Sequence, residues 1–192
     1  MWSSFALEDR IGGDSDPEID LYGSYIFSNA SGSFSIVPGF YLYTYPDAEP
    51  DDGVHRATFE PSVGAIFTVA GIQFTPKVYY DVMLKGATYE VTAAVALPLT
   101  SLGTELDLSA TAGTFKLSDA TERTTPAVKN WGDYWMLGLA VPVQISARSK
   151  VVAAISYSEG RNNFFKQGTL PRERNENARG ATAVTLTYSI TL

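Results

Sequence analysis

The residues equipped for chemistry are few and mostly acidic. The chain holds 21 Asp and Glu against 14 Lys and Arg, one histidine and no cysteine. His55 stands beside the acidic stretch from Asp47 to Asp52, where an imidazole could serve as general base or metal ligand. No spacing gives it a partnering carboxylate or serine, and a lone loop histidine reads as solvated. The chain lacks His-x-x-x-His, Gly-x-x-x-x-Gly-Lys and a nucleophile elbow. Missing thiols exclude disulfides and thiolate metal centres. Neither an enzyme nor a cofactor is expected. The net charge of −7 comes without a basic stripe to neutralise phosphates, which argues against nucleic acid.

A sharper constellation depends on how the chain pairs with itself. If Ala70-Gly71 is a two-residue turn, Glu60 falls across from Asp81; if Lys85-Gly86 is another, Asp81 falls across from Glu90. The three carboxylates would then form one cross-strand row, with Lys77 two rungs away between Gly64 and Ala94. Like charges directly opposite destabilise a sheet unless a cation or basic side chain intervenes. One reading is an acidic constriction that favours cations, partnered by Lys77 or by a basic residue from the Glu159 to Arg179 loop. The other is a static ion-pair network filling a narrow barrel. Glu105 and Asp107 join Glu60, Lys77, Asp81 and Glu90 as lumen candidates.

The elements that must position these groups are strands. Apolar and polar residues alternate with period two in about ten segments, which places each set on one face of a sheet. At the C-terminus Thr182, Val184, Leu186, Tyr188, Ile190 and Leu192 oppose Ala183, Thr185, Thr187, Ser189 and Thr191. The same division runs through Tyr89, Val91, Ala93, Val95 and Leu97, and through Trp135, Leu137, Leu139, Val141 and Val143. Strands are predicted near 2–8, 17–28, 33–45, 55–69, 72–84, 87–99, 103–117, 132–146, 150–158 and 180–192. Most are longer than a usual globular strand and long enough to cross a bilayer when tilted.

Only 18% of the residues are charged while 45% are hydrophobic, and Ser, Thr, Ala and Gly fill the polar faces. A soluble sheet would carry more Lys and Glu there. No apolar run reaches 18 residues, so a bilayer could be entered only as a closed barrel. Short connections (Asn29 to Gly32, Ala70-Gly71, Thr100 to Gly103, Ser146 to Lys150) tend to alternate with long ones (Asp9 to Asp16, Pro46 to Val54, Ser118 to Trp131, Glu159 to Arg179). That asymmetry is typical of outer-membrane barrels. Tyr41, Tyr43, Tyr45, Tyr79, Tyr80, Tyr89, Trp131, Tyr134 and Trp135 fall toward the long-loop ends, as an interfacial aromatic belt would. Pro38, Pro61, Pro76 and Pro142 lie inside strands and predict bulges at some of these positions.

Tyr43-Thr44-Tyr45-Pro46, Phe59-Glu60-Pro61 to Gly64, Thr75-Pro76-Lys77-Val78-Tyr79-Tyr80-Asp81 and Gly160-Arg161-Asn162-Asn163-Phe164-Phe165-Lys166 resemble the TorF-like porin family over most of the chain. The resemblance implies a Gram-negative outer-membrane barrel with a channel role. It also implies a signal peptide and further N-terminal strands, twelve in all, ahead of a chain that starts Met1-Trp2-Ser3-Ser4 without a signal-peptide pattern.

The expected fold is therefore all-β, a single antiparallel up-and-down transmembrane β-barrel of about ten strands, or twelve with added N-terminal ones. The expected function is a small passive pore for ions or small polar solutes, in contact with outer-membrane lipid and lipopolysaccharide. A non-conducting surface barrel and a soluble lipocalin-like barrel with its apolar face inward are the alternatives. The first two outer loops are acidic (Glu8, Asp9, Asp14, Asp16, Asp47, Glu49, Asp51, Asp52), and the last carries Arg161, Lys166, Arg172, Arg174 and Arg179. These could hold divalent ions and lipopolysaccharide phosphates respectively, although solvated loop charge is the simpler reading. Phe164 and Phe165 make their loop too apolar to stay free, so it is expected to fold over or into the mouth. Nothing in the pattern sets an oligomeric state.

Overall fold

The computed structural model describes residues 2–4, 18–44, 46, 57–83, 85–116, 131–161 and 180–190. They form one antiparallel sheet of largely sequential pairing. The strands are β1 (Trp2–Ser4), β2 (Glu18–Ser24), β3 (Phe27–Ser28), β4 (Phe34–Thr44), β5 (Ala57–Val69), β6 (Ile72–Asp81), β7 (Gly86–Leu99), β8 (Thr104–Lys116), β9 (Trp131–Ser146), β10 (Ser149–Arg161) and β11 (Gly180–Ile190). Ten lie on one continuous path, in which β2 skips the two-residue β3 to pair with β4, and β3 pairs beside it with β4. The sheet curls into a half-barrel of up-and-down order. Among the described residues β1 and β11 each pair with one neighbour.

The predicted strands are found with small shifts. The expected 17–28 strand breaks at Tyr25 and Ile26 into β2 and β3, and β10 runs on to Arg161. The expected proline bulges do not form: Pro38 faces Val63, Pro61 faces Phe40, Pro76 faces Val91 and Pro142 faces Val152 in unshifted ladders. A proline removes one N–H, which serves one neighbouring strand only, so the ladder on its other side is intact. The β5–β6 ladder is interrupted between Gly64↔Lys77 and Phe67↔Phe74 and resumes in the same register. The irregularity that does occur sits at Ser149 and Lys150, beside the β9–β10 turn.

The two faces are separated as the alternation requires. One continuous cross-strand row is Val95, Leu108, Leu139, Ile155 and Val184, and its members belong to a face rich in exposed large hydrophobics. The opposite face carries Asp20, Ser35, Asp81 and Thr111, all buried polar residues. Side chains converge on the inside of a curved sheet and diverge on the outside. The polar face, where side chains reach over intervening strands to touch, is therefore the concave one. The apolar-inward arrangement of a soluble ligand-binding barrel is not the one observed.

Candidate functional site: a cluster on the concave face

Two hairpins decide which side chains meet. Ala70 and Gly71 both adopt positive φ, 51° and 81°, the conformation of a tight two-residue turn whose twist suits the flanking strands. The β5–β6 register that follows sets Gly64 opposite Lys77. At the far end the Val82 N–H donates to the Phe59 carbonyl at 3.0 Å, so the same register brings Glu60 opposite Asp81 as predicted.

The second hairpin differs from expectation. The last β6–β7 pair is Asp81↔Gly86, leaving Val82 to Lys85 as a four-residue connection in place of a turn at Lys85-Gly86. The Met83 N–H donates to Asp81 Oδ1 at 2.8 Å, an Asx arrangement in which the aspartate side chain stands in for backbone and starts the turn early. Glu90 therefore faces Lys77, and Gln73 takes the place across from Ala94. The predicted row Glu60, Asp81, Glu90 is corrected to an acidic pair, Glu60 with Asp81, and a pair of opposite sign, Lys77 with Glu90. Correspondingly, among the described residues no group of three or more His, Asp or Glu is placed to hold a metal ion.

Around these groups the structure places tyrosines that the sequence reading assigned to a lipid-facing belt. Tyr41, Tyr43, Tyr79 and Tyr134 are in phase with Glu60, Lys77 and Glu90 and point inward. Tyr80, Tyr89 and Trp135 face outward and are exposed. Tyr45 and the Trp131 side chain lie outside the described residues. The missed signal was parity, which distinguishes Tyr79 from Tyr80 as surely as it separates Val from Thr.

One row explains the geometry. Gly64, Lys77, Glu90, Gly113, Tyr134 and Gly160 stand side by side across β5 to β10. A Cβ on Gly113 would meet Tyr134 Cζ at 2.3 Å, so glycine is the residue that lets the phenol lie across β8. The Tyr134 hydroxyl thereby donates to Glu90 Oε2 at 2.7 Å, two strands away, and Tyr79 donates to Oε1 at 3.3 Å. Both carboxylate oxygens of Glu90 are thus held. Gly64 plays a milder version of the same part beneath Lys77, where an added Cβ would lie 3.2 Å from Lys77 Cγ. The Lys77 ammonium leans toward β4 and sits 4.9 Å from the Tyr41 ring centre and 4.5 Å from that of Tyr79. Tyr41 stacks on Tyr43 at 6.0 Å, and Tyr43 is hydrogen-bonded to Glu60, whose charged neighbours are Asp81 and Lys77.

Glu105 and Asp107 do not join this cluster. They share the polar face but stand opposite Pro98 and Ala96 near the other end of β8, with Asp107 about 20 Å along the strand from Gly113 at 3.3 Å per residue. Arg161 ends β10 opposite Asp133, and its side chain lies outside the described residues. So do Phe164, Phe165, Lys166, His55 and the acidic and basic loops. Below the cluster the face turns to small hydroxyls, with Thr92 and Thr111 sharing a hydrogen bond at 2.8 Å. Among the described residues no helix is long and apolar enough to cross a membrane. A scan against protein-family models finds no match for this chain, and a search of the curated proteins finds none either.

Proposed function

We propose that the chain is a bacterial outer-membrane β-barrel of the TorF-like porin type, acting as a small passive pore for ions or small polar solutes with cation preference and no chemistry of its own. The observation that carries this reading is the inverted sheet, apolar and exposed on its convex face, polar and convergent on its concave face. An exposed apolar surface of that extent calls for a lipid or protein covering. Outward aromatics also fall toward both strand ends: on β5, Phe59 and Phe67 are about 26 Å apart along the strand, near the height of the apolar band of such barrels. Cation preference rests on the described concave-face charges, Asp20, Glu60, Asp81, Glu90, Glu105 and Asp107 against Lys77 and Lys150. Planar-bilayer recording tests the proposal. Cation-selective conductance that Glu60→Gln and Glu90→Gln reduce is expected; a selectivity unaltered by both removes the role given to the cluster.

A non-conducting barrel is the second reading. It is favoured by the mutual hydrogen bonding of Tyr134, Glu90 and Tyr79, which spends polar groups on one another at the end with the long connections. Absence of conductance from the folded protein would decide for it.

A further inference from the structure

The Lys77 ammonium sits between two tyrosine rings on the concave face. Its two aromatic walls come from different strands, Tyr41 on β4 and Tyr79 on β6, with ring centres 5.9 Å apart and planes at 51°. Ring faces attract cations through their quadrupoles, and two faces at 4.5 and 4.9 Å make an open aromatic cage. Carboxylates flank it on both sides. Glu60 stands directly across from Tyr41, and Glu90 stands across from Lys77 with both oxygens fixed by tyrosine hydroxyls.

We propose that the cage of Tyr41 and Tyr79 is a subsite for organic ammonium groups, held in the resting state by the chain's own lysine as a tethered ligand. Gly64, which leaves the lysine stem room to lean over β5, is what brings the tether into place. A solute bearing a primary ammonium competes with Lys77 for the cage, and the displaced side chain can turn toward Glu90, which stands across from it. A sugar or an inorganic anion has nothing to gain from the exchange. The inference deepens the pore reading by naming a solute class, yet its binding step needs only the folded concave face.

The test uses the full chain refolded in detergent micelles, with propylammonium as the probe. Propylammonium matches the atoms from Cγ to Nζ that Lys77→Ala removes. In the native chain with reductively methylated lysines, the Lys77 N-methyl resonance should lie upfield of the others because of the two rings. About millimolar propylammonium or more, enough to rival a tethered group, should move it back, while neutral 1-propanol should not. By calorimetry Lys77→Ala should bind propylammonium at least tenfold more tightly than Lys77→Ala combined with Tyr79→Leu. An N-methyl signal at the solvent-exposed position, equal response to propanol, or equal affinity of the two variants overturns the proposal. The native-chain spectrum keeps it testable if the alanine variant does not fold. Binding without conductance would sink the pore and leave the subsite standing.

Discussion

The concave face has a crowded wall and a bare one. From β4 to β9, around the cluster, its side chains are long, charged or aromatic, and they lean over one another: Lys77 over Gly64, Tyr134 over Gly113. Across β10 and β11 the same face carries Ala154, Ser156, Thr185 and Thr187, which are too short to reach a second strand. Both walls show the same clean alternation in sequence. The difference is that the crowded wall sets large side chains over glycines, Lys77 over Gly64 and Tyr134 over Gly113, whereas Gly160 of the bare wall shares its strand face with Ser158, Ser156 and Ala154. A site arises where bulk and its absence are placed side by side.

The largest effect is expected between the two faces of the sheet. Leu139→Arg puts a charge on the convex side, and if that side meets lipid it should cost about 2–4 kcal/mol near the midplane. Ala140→Arg, one residue on but facing inward between Asp107 and Ala154, should be much milder. Reversible unfolding in liposomes measures both, and equal costs would mean the faces are not in different media. Next comes the crowded wall itself. Gly113→Ala brings a Cβ into the Tyr134 ring and should destabilise by about 1–3 kcal/mol through overpacking. Ser156→Ala on the bare wall should stay within about 0.5 kcal/mol. A Gly113→Ala barrel as stable as the parent would show that Tyr134 does not need its groove. The smallest effect sharpens the picture: Tyr134→Phe removes one hydrogen bond to a carboxylate and should cost about 1.5 kcal/mol, against a change within about 0.5 kcal/mol for Thr185→Val. Denaturant titration of the four variants places them in order.

Period two explains both what sequence reading found and what it missed. Most strand positions, and the division of the apolar and small polar residues between two faces, followed from alternation, because a slip of one residue would turn each side chain to the wrong side. A slip of an even number leaves every face unchanged and is invisible to the pattern. The β6–β7 hairpin differs from expectation by such a slip: Asp81 pairs with Gly86 instead of Glu90. Faces survived and partners changed: Glu60, Lys77, Asp81 and Glu90 share the concave face as expected but pair differently, while Glu105 and Asp107 stand apart from them. Turn chemistry is what sets register, and Lys85-Gly86 looked like a hairpin turn, although Lys85 itself takes a positive φ of 52°. The legible clue was Asp81, a residue suited to capping a turn with its own side chain. The inward tyrosines were equally legible by parity, but their clustering near strand ends made an interfacial belt the easier account. The leaning of Lys77 and Tyr134 across neighbouring strands depends on sheet curvature, which no local pattern encodes.

Among the described residues no large side chain is fully shut away from solvent. The described part of the chain has no internal droplet to condense around, and the usual thermodynamic fingerprint of folding in water weakens accordingly. The heat-capacity change of unfolding follows newly exposed apolar surface, and here much of that surface is already on the outside. The persistence of the fold then belongs as much to the medium wetting its convex face as to the polypeptide. Val184 and Leu186, 79% and 78% exposed on the edge strand, are where that dependence is greatest.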